Sequence, residues 1–326
     1  MEKELTTLAV PAALTETATA AELPQENGIP NETVAYKKQR WIYGSAGILL
    51  LAIGLGIAWW QSPSFRTYVV DIPPTFYYFL AAGFVFAMID GAIGMSYGIT
   101  STTFSLSMGI PPASASTAVH ISEILSCGIA GWMHQRMGNV NKKLFKMLIL
   151  PGIIGAVTGA YLLSSLEHYS QYTKPVVSLY TLILGSIILI RAIRVRKQNS
   201  APDKKITRIG LLGFGGGFID AIGGGGWGSI VLSSLIAGGR HPRFSLGTVK
   251  ATRFFIAMLS SLTFVTVLSH VHWDAVLGLV IGSAIASPIA AKVSNKISAK
   301  TIMVAVAVIV ILVSMKSIYA FVLKVI

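Results

Sequence analysis

The sequence predicts an all-α polytopic membrane protein. It consists of an N-terminal anchor helix and two inverted repeats, each a glycine-broken re-entrant hairpin followed by three transmembrane helices. Three observations carry this expectation. The 326 residues are 53% hydrophobic and only 12% charged, with a mean hydropathy of +0.67, the composition of a membrane chain rather than a soluble one. Six long apolar spans (41–60, 144–166, 176–190, 254–269, 276–291 and 301–315) hold one charged residue between them, Lys146. A bilayer core about 30 Å thick needs roughly 20 such residues per helix, and a single soluble core needs far fewer spans. Finally, the chain matches itself at an offset of 130 residues.

The elements follow in chain order. Residues 1–36 hold six glutamates against one lysine, among Ala, Thr and Pro without periodicity, and read as a disordered acidic cytoplasmic tail. Residues 37–71 read as an anchor helix and loop. Lys37, Lys38 and Arg40 precede the first span and place the N-terminus in the cytoplasm. The long polar tail ahead of that span is unlike a secretory leader. Repeat 1 covers 72–196, a basic cytoplasmic linker 197–205, and repeat 2 206–326.

The offset defines the repeats. Ile89-Asp90 falls on Ile219-Asp220, Gly94 on Gly224, Tyr97 on Trp227 and Gly98 on Gly228. With no gap, Val119-His120 falls on Val249-Lys250 and Glu123 on Arg253. Duplication of this kind is a common plan of secondary transporters.

Each repeat opens with a long apolar stretch interrupted by glycine, 75–109 and 208–238. The second contains GGGFIDAIGGGGWGS, eight glycines in fifteen residues around Asp220. A single crossing by 75–109 would put the loop with Arg136, Lys142, Lys143 and Lys146 outside, against the positive-inside rule. A hairpin with no net crossing puts that loop inside, and the basic 191–208 segment inside as well. In the second half, Arg240 and Arg243 are then inside, and Lys292, Lys296 and Lys300 also. The two halves thus enter the membrane from opposite sides. Two short full crossings give the same parity. Arms of about 12 to 16 residues favour the re-entrant form.

Outside the loops few ionisable groups remain: Asp90, His120, Glu123, Asp220, Lys250 and Arg253. An uncompensated charge at the bilayer centre costs about 2.5–3.5 kcal/mol on insertion scales, so each is a functional candidate. Asp90 and Asp220 sit at equivalent glycine breaks. His120 and Glu123 share a helix face at i, i+3, and Lys250 and Arg253 repeat that spacing. Structural roles stand beside the functional ones. The aspartates can cap the broken helices, His120 and Glu123 can tie two spans together, and Lys250 and Arg253 can snorkel to the surface. Lys316, near the end of the last span, reads as a snorkelling residue.

A broken membrane helix frees backbone N–H groups, and glycines let an anion approach them. The expected anion site is therefore Lys250 and Arg253 with Gly224, Gly225, Gly226 and Trp227, and the counterpart Gly94, Ser96 and Tyr97. Asp90, His120, Glu123 and Asp220 are the expected coupling or gating groups. The second half is expected to hold more of the anion, with Asp220 organising backbone. The net charge of +13 lies in short loops and does not indicate nucleic acid. The glycine runs lack the strand and acid of a dinucleotide loop. No nucleophile stands beside a base, so no enzyme activity is expected. No metal-site spacing occurs and Cys127 stands alone, so neither a metal nor a cofactor is expected.

The motifs AMIDGAIGMSYG and STAVHISEILSCGIAGWMHQRMGNV, then GGFIDAIGGGGWGS and HPRFSLGTVKATRF, resemble the TauE/SafE sulfite-exporter family of bacterial membrane proteins over residues 78–320. The resemblance implies a multi-pass carrier in the bacterial cytoplasmic membrane. Its cargo would be sulfite, thiosulfate, sulfoacetate or other small sulfonates, usually moved outward. The expected partners are that anion and the lipid bilayer, with a homodimer left open. Two alternatives remain: an uncoupled anion channel or carrier of another solute, and an assembly or sensor subunit acting through the acidic tail.

Overall fold

A computed structural model describes residues 71–193, 208–293 and 299–325. The tail 1–36, the linker 197–205 and all but residue 71 of the segment 37–71 lie outside the described residues. So do Lys296 and most of the basic segment after α5. Pro73–Ile326 form one compact unit.

The described residues form helices, with no strand among them. The first series is α1 (Pro74–Ile93), α2 (Tyr97–Ser107), α3 (Pro112–Arg136), α4 (Lys142–Ser165) and α5 (Ser170–Ile193), with a 3-10 turn at Glu167–Tyr169. The second is α6 (Ile209–Gly223), a π-helical turn (Gly228–Leu232) running into the short α7 (Ser233–Ala237), then α8 (Pro242–Val267), α9 (Trp273–Val293) and α10 (Ala299–Val325). Local chemistry sets the boundaries. Prolines open α1, α3 and α8, where a missing N–H removes no helical bond. The side chain of Asn141 caps α4 by accepting from the Leu144 N–H at 3.0 Å. Gly94 (φ 83°) and Gly224 (φ 63°) end α1 and α6 in the left-handed conformation.

Packing between the two series is reciprocal. α1 packs on α9 while α6 packs on α4, α3 on α8, and α5 on α10. Small residues allow the close approaches, as is common between membrane helices. A Cβ on Gly83 of α1 would stand 2.8 Å from the Leu279 carbonyl oxygen of α9. One core gathers Leu148, Ala156, Ala221, Trp227, Ile256 and Phe264; a second gathers Phe79, Leu106, Val119, Val276 and Leu279. On the outside, large apolar side chains remain exposed along α5 (Val176, Leu179, Ile183) and α10 (Ile309, Leu312, Met315). A surface of this kind suits lipid rather than water. Among the described residues five helices are long and apolar enough to cross a membrane: 74–91, 142–165, 167–193, 242–267 and 303–323.

Two sequence expectations are corrected here. The arms around the breaks do not all have 12 to 16 residues: α6 has 15, but α1 has 20 and α2 has 11. Gly83 and Gly91 stay inside α1, and the chain breaks only from Gly94. The charge-free span 254–269 also understates its helix, because α8 begins at Pro242 and runs through Lys250 and Arg253.

Candidate functional site

The two breaks meet back to back. Gly224, Gly225 and Gly226 have φ of 63°, 156° and 155°, conformations open to glycine alone at little cost. A Cβ added to Gly98, at the start of α2, would stand 2.7 Å from the Gly225 Cα. Side chains from elsewhere satisfy the carbonyls freed by the second break. Ser116 donates to Ala221 O and Thr102 to Gly224 O, each at 2.6 Å, and Tyr180 donates to Gly225 O at 2.7 Å. At the first break Ser229 donates to Met95 O at 3.0 Å. Buried backbone acceptors of this kind need such partners inside a membrane.

Each aspartate caps the break that follows it. Asp90 Oδ1 accepts from the Ser96 and Tyr97 amides at 2.9 and 3.2 Å. Asp220 Oδ1 accepts from the Trp227 amide at 2.7 Å. The second oxygen of each reaches a base on the central helix of the other series. Asp90 Oδ2 meets Lys250 Nζ at 3.0 Å, and Asp220 Oδ2 meets His120 Nε2 at 3.3 Å. Under the 130-residue offset, Asp90 corresponds to Asp220, Tyr97 to Trp227 and Lys250 to His120. The two sets therefore repeat one another.

Glu123 and Arg253, the remaining equivalent pair, bond to each other between α3 and α8. Arg253 also donates from Nη1 to Asp220 Oδ1 at 3.0 Å. One guanidinium thus holds two carboxylates, the fork geometry that lysine lacks. Its Nε is buried and has no hydrogen-bond partner among the described residues. His120 is fully buried. Its Nδ1 lies 2.8 Å from the Ser116 carbonyl, so both ring nitrogens face acceptors. The bond to the Ser116 carbonyl places a proton on Nδ1, and the contact with Asp220 places another between Nε2 and the carboxylate.

A cavity of ≈ 20 Å³ lies at this crossing, lined by Asp90, Glu123, Lys250, Arg253, Tyr97 and the glycines 94, 98, 226 and 228 among others. It has room for about one water. The first-turn amides of α2 and of the π-helical turn start beside it and have no acceptor within their own helices.

The structure brings most of the expected residues together. Lys250, Arg253, Gly94, Gly226, Tyr97, Asp90 and Glu123 line the cavity. The others stand behind it. Trp227 is fully buried in the core, its Nε1 donating to Val249 O at 3.3 Å. Gly224 and Gly225 form the crossing, Ser96 presents its amide to Asp90, and His120 and Asp220 sit one layer back. Lys250 and Arg253 are 18% and 6% exposed at the side chain and ion-paired, so they do not snorkel. His120 and Glu123 do not bond to each other; each reaches across to another helix. Met95, Gly98, Ile99, Gly228 and Val249 also line the cavity, although sequence reasoning does not single them out. For Gly98 and Gly228 a signal exists, since the offset places one on the other. Among the described residues no group of three His, Cys, Asp or Glu could hold a metal ion.

Apolar helices around a buried charged centre at two broken helices define a polytopic membrane protein. Comparison with known proteins names the class. The family model described as Sulfite exporter TauE/SafE matches residues 79–317, and the chain belongs to that family of membrane transporters. It is 39% identical over 210 residues to the "Probable membrane transporter protein YtnM" of Bacillus subtilis (strain 168), covering 62% of this chain and 69% of that one. No solved structure matches. The chain is a multi-pass membrane transporter.

Proposed function

We propose that the protein is a secondary transporter of small sulfur-containing anions across the bacterial cytoplasmic membrane. The cargo is sulfite, thiosulfate, sulfoacetate or another organosulfonate, and the net direction is outward. One observation carries the reading: Lys250 and Arg253, two cations in mid-helix, line the cavity at which two glycine-broken helices cross. Fixed positive charge, first-turn amides and glycine backbone together suit a small oxyanion. Membership of the sulfite-exporter family supports sulfite; the Bacillus subtilis relative supports membrane transport alone. The cavity has less room than any of these anions needs, which favours a carrier that alternates access over an open channel.

The reciprocal packing of the two series, with the distribution of basic loops, supports an inverted repeat entering the membrane from both sides and an N-terminus in the cytoplasm. In this reading Lys250, Arg253, Gly226, Gly94 and Tyr97 face the substrate. Asp90 and Asp220 hold the breaks in shape. Flux of radiolabelled sulfite, thiosulfate and sulfoacetate into proteoliposomes tests it. Lys250→Ala and Arg253→Ala are each expected to lower flux at least tenfold. If both leave the flux of every candidate anion intact, the anion site is elsewhere.

A further inference from the structure

The cluster contains three carboxylates, and they are not held alike. Asp90 keeps two amide hydrogen bonds at the first break when its lysine is disregarded. Asp220 keeps the Trp227 amide and His120 when its arginine is disregarded. The Glu123 carboxylate, by contrast, hydrogen-bonds to Arg253 alone among the described residues. It is also on the cavity wall, and Asp220 is not. Glu123 is thus the one acid of the three that no backbone donor retains.

The occupancy of Arg253 follows. Nη1 is committed to Asp220 and Nη2 to Glu123. Nη2 lies beside the cavity glycine Gly98, where an added Cβ would stand 3.5 Å from it, so an oxyanion arriving there competes with Glu123 for Nη2. An ionised Glu123 would then remain buried, 4% exposed, sharing its guanidinium with a second negative charge beside it. Two buried anions competing for one cation are unfavourable. A proton taken up by the Glu123 carboxylate removes the charge and releases Nη2 for the anion.

From this geometry we infer that Glu123 is the proton-coupling group, and that the protein binds one proton with each anion and carries both in the same direction. This rests on the oxyanion reading of the site and adds a co-substrate to it. The groups facing Glu123 are Lys250 and Arg253 of α8, Asp220 of α6, Asp90 of α1, Tyr97 of α2, and His120 and Cys127 of its own helix. His120 already meets two acceptors, and Lys250 and Arg253 are already paired as cations, so the added proton goes to the singly bonded acid. A divalent anion moving with one proton retains a net negative charge. An inside-negative potential then still favours its exit.

The test is binding of thiosulfate, whose charge is constant around neutral pH, to the purified full-length protein between pH 5 and 8, with sulfite and sulfoacetate alongside. Obligatory uptake of one proton makes the wild-type Kd rise about tenfold per pH unit on the alkaline limb. Glu123→Gln is neutral at every pH and is expected to bind with a flat profile, its binding at any pH showing that it folds. In proteoliposomes the wild-type protein is expected to move protons with the anion, read by an internal pH dye. If the wild-type Kd is flat, or Glu123→Gln keeps the slope, the proton-coupling inference falls and the anion site stands. If the wild-type protein binds none of the three anions at any pH, the oxyanion reading falls and takes this inference with it.

Discussion

Asp90 of α1 and Lys250 of α8, 160 positions apart, form an ion pair at 3.0 Å, and the same aspartate caps the start of α2 through its other oxygen. The pair therefore locks a helix break to the centre of a distant helix. Removing one partner leaves a buried charge, which typically costs about 3–5 kcal/mol. Lys250→Met is expected to destabilise the protein on that scale, and Asp90→Asn/Lys250→Met by less than the sum of the single changes. Thermal unfolding in detergent measures the cycle, with an interaction energy of about 0.5–3 kcal/mol expected.

Glycines of the second repeat divide into two kinds. A Cβ on Gly225 would meet the Gly98 Cα at 2.6 Å, whereas one on Gly215 meets nothing within 4 Å. Gly225→Ala and Gly98→Ala are expected to abolish transport and lower the melting temperature, because backbone must move. Gly215→Ala is expected to be neutral or to stabilise by about 0.5–1 kcal/mol through helix propensity alone. Melting curves of the three variants decide it.

Arg253 bridges two carboxylates with separate nitrogens, a geometry that an ammonium cannot reproduce. Arg253→Lys is expected to lower anion flux at least tenfold although the charge is kept. A proteoliposome flux assay with matched protein incorporation checks this. Flux within twofold of wild type would mean that point charge suffices and the fork is incidental.

Tyr180 donates to the Gly225 carbonyl at 2.7 Å. Tyr180→Phe leaves that buried acceptor without its partner, at a cost of about 1–3 kcal/mol. Hydrogen exchange at the second break is expected to quicken in this variant, with little change in α10.

Much of this arrangement is legible in the order of the residues. The 130-residue offset pairs positions that play the same part: Asp90 with Asp220, Tyr97 with Trp227, His120 with Lys250. It succeeds because equivalent chemistry at equivalent breaks leaves equivalent letters. Who bonds to whom is not legible. The i, i+3 spacing of His120 and Glu123 suggests a pair on one helix, yet their partners, Asp220 and Arg253, are about 100 or more positions away. Local spacing carries no information on such contacts.

Charge-free spans also mislead. They truncate α8 at Arg253 and omit α3, because a helix whose charges are paired inside the protein reads as interrupted. Likewise the eight glycines of 215–229 suggest one long break, but only Gly224, Gly225 and Gly226 make it. Gly217, for one, serves close packing instead, its missing Cβ leaving room for the Gly152 carbonyl of α4. Composition cannot separate the two uses of glycine. Backbone geometry does.

The proposed function turns on an oxyanion binding where the two broken helices cross. Selenite, a heavier stand-in for sulfite, can be located directly by anomalous scattering from crystals of the protein. A single strong peak is expected within hydrogen-bonding reach of Arg253 and Lys250, beside Gly98 and Gly228, with Glu123 displaced from the guanidinium. A peak elsewhere, such as the 450 Å³ groove beside Lys174 and Lys316, with the crossing unchanged, would contradict it.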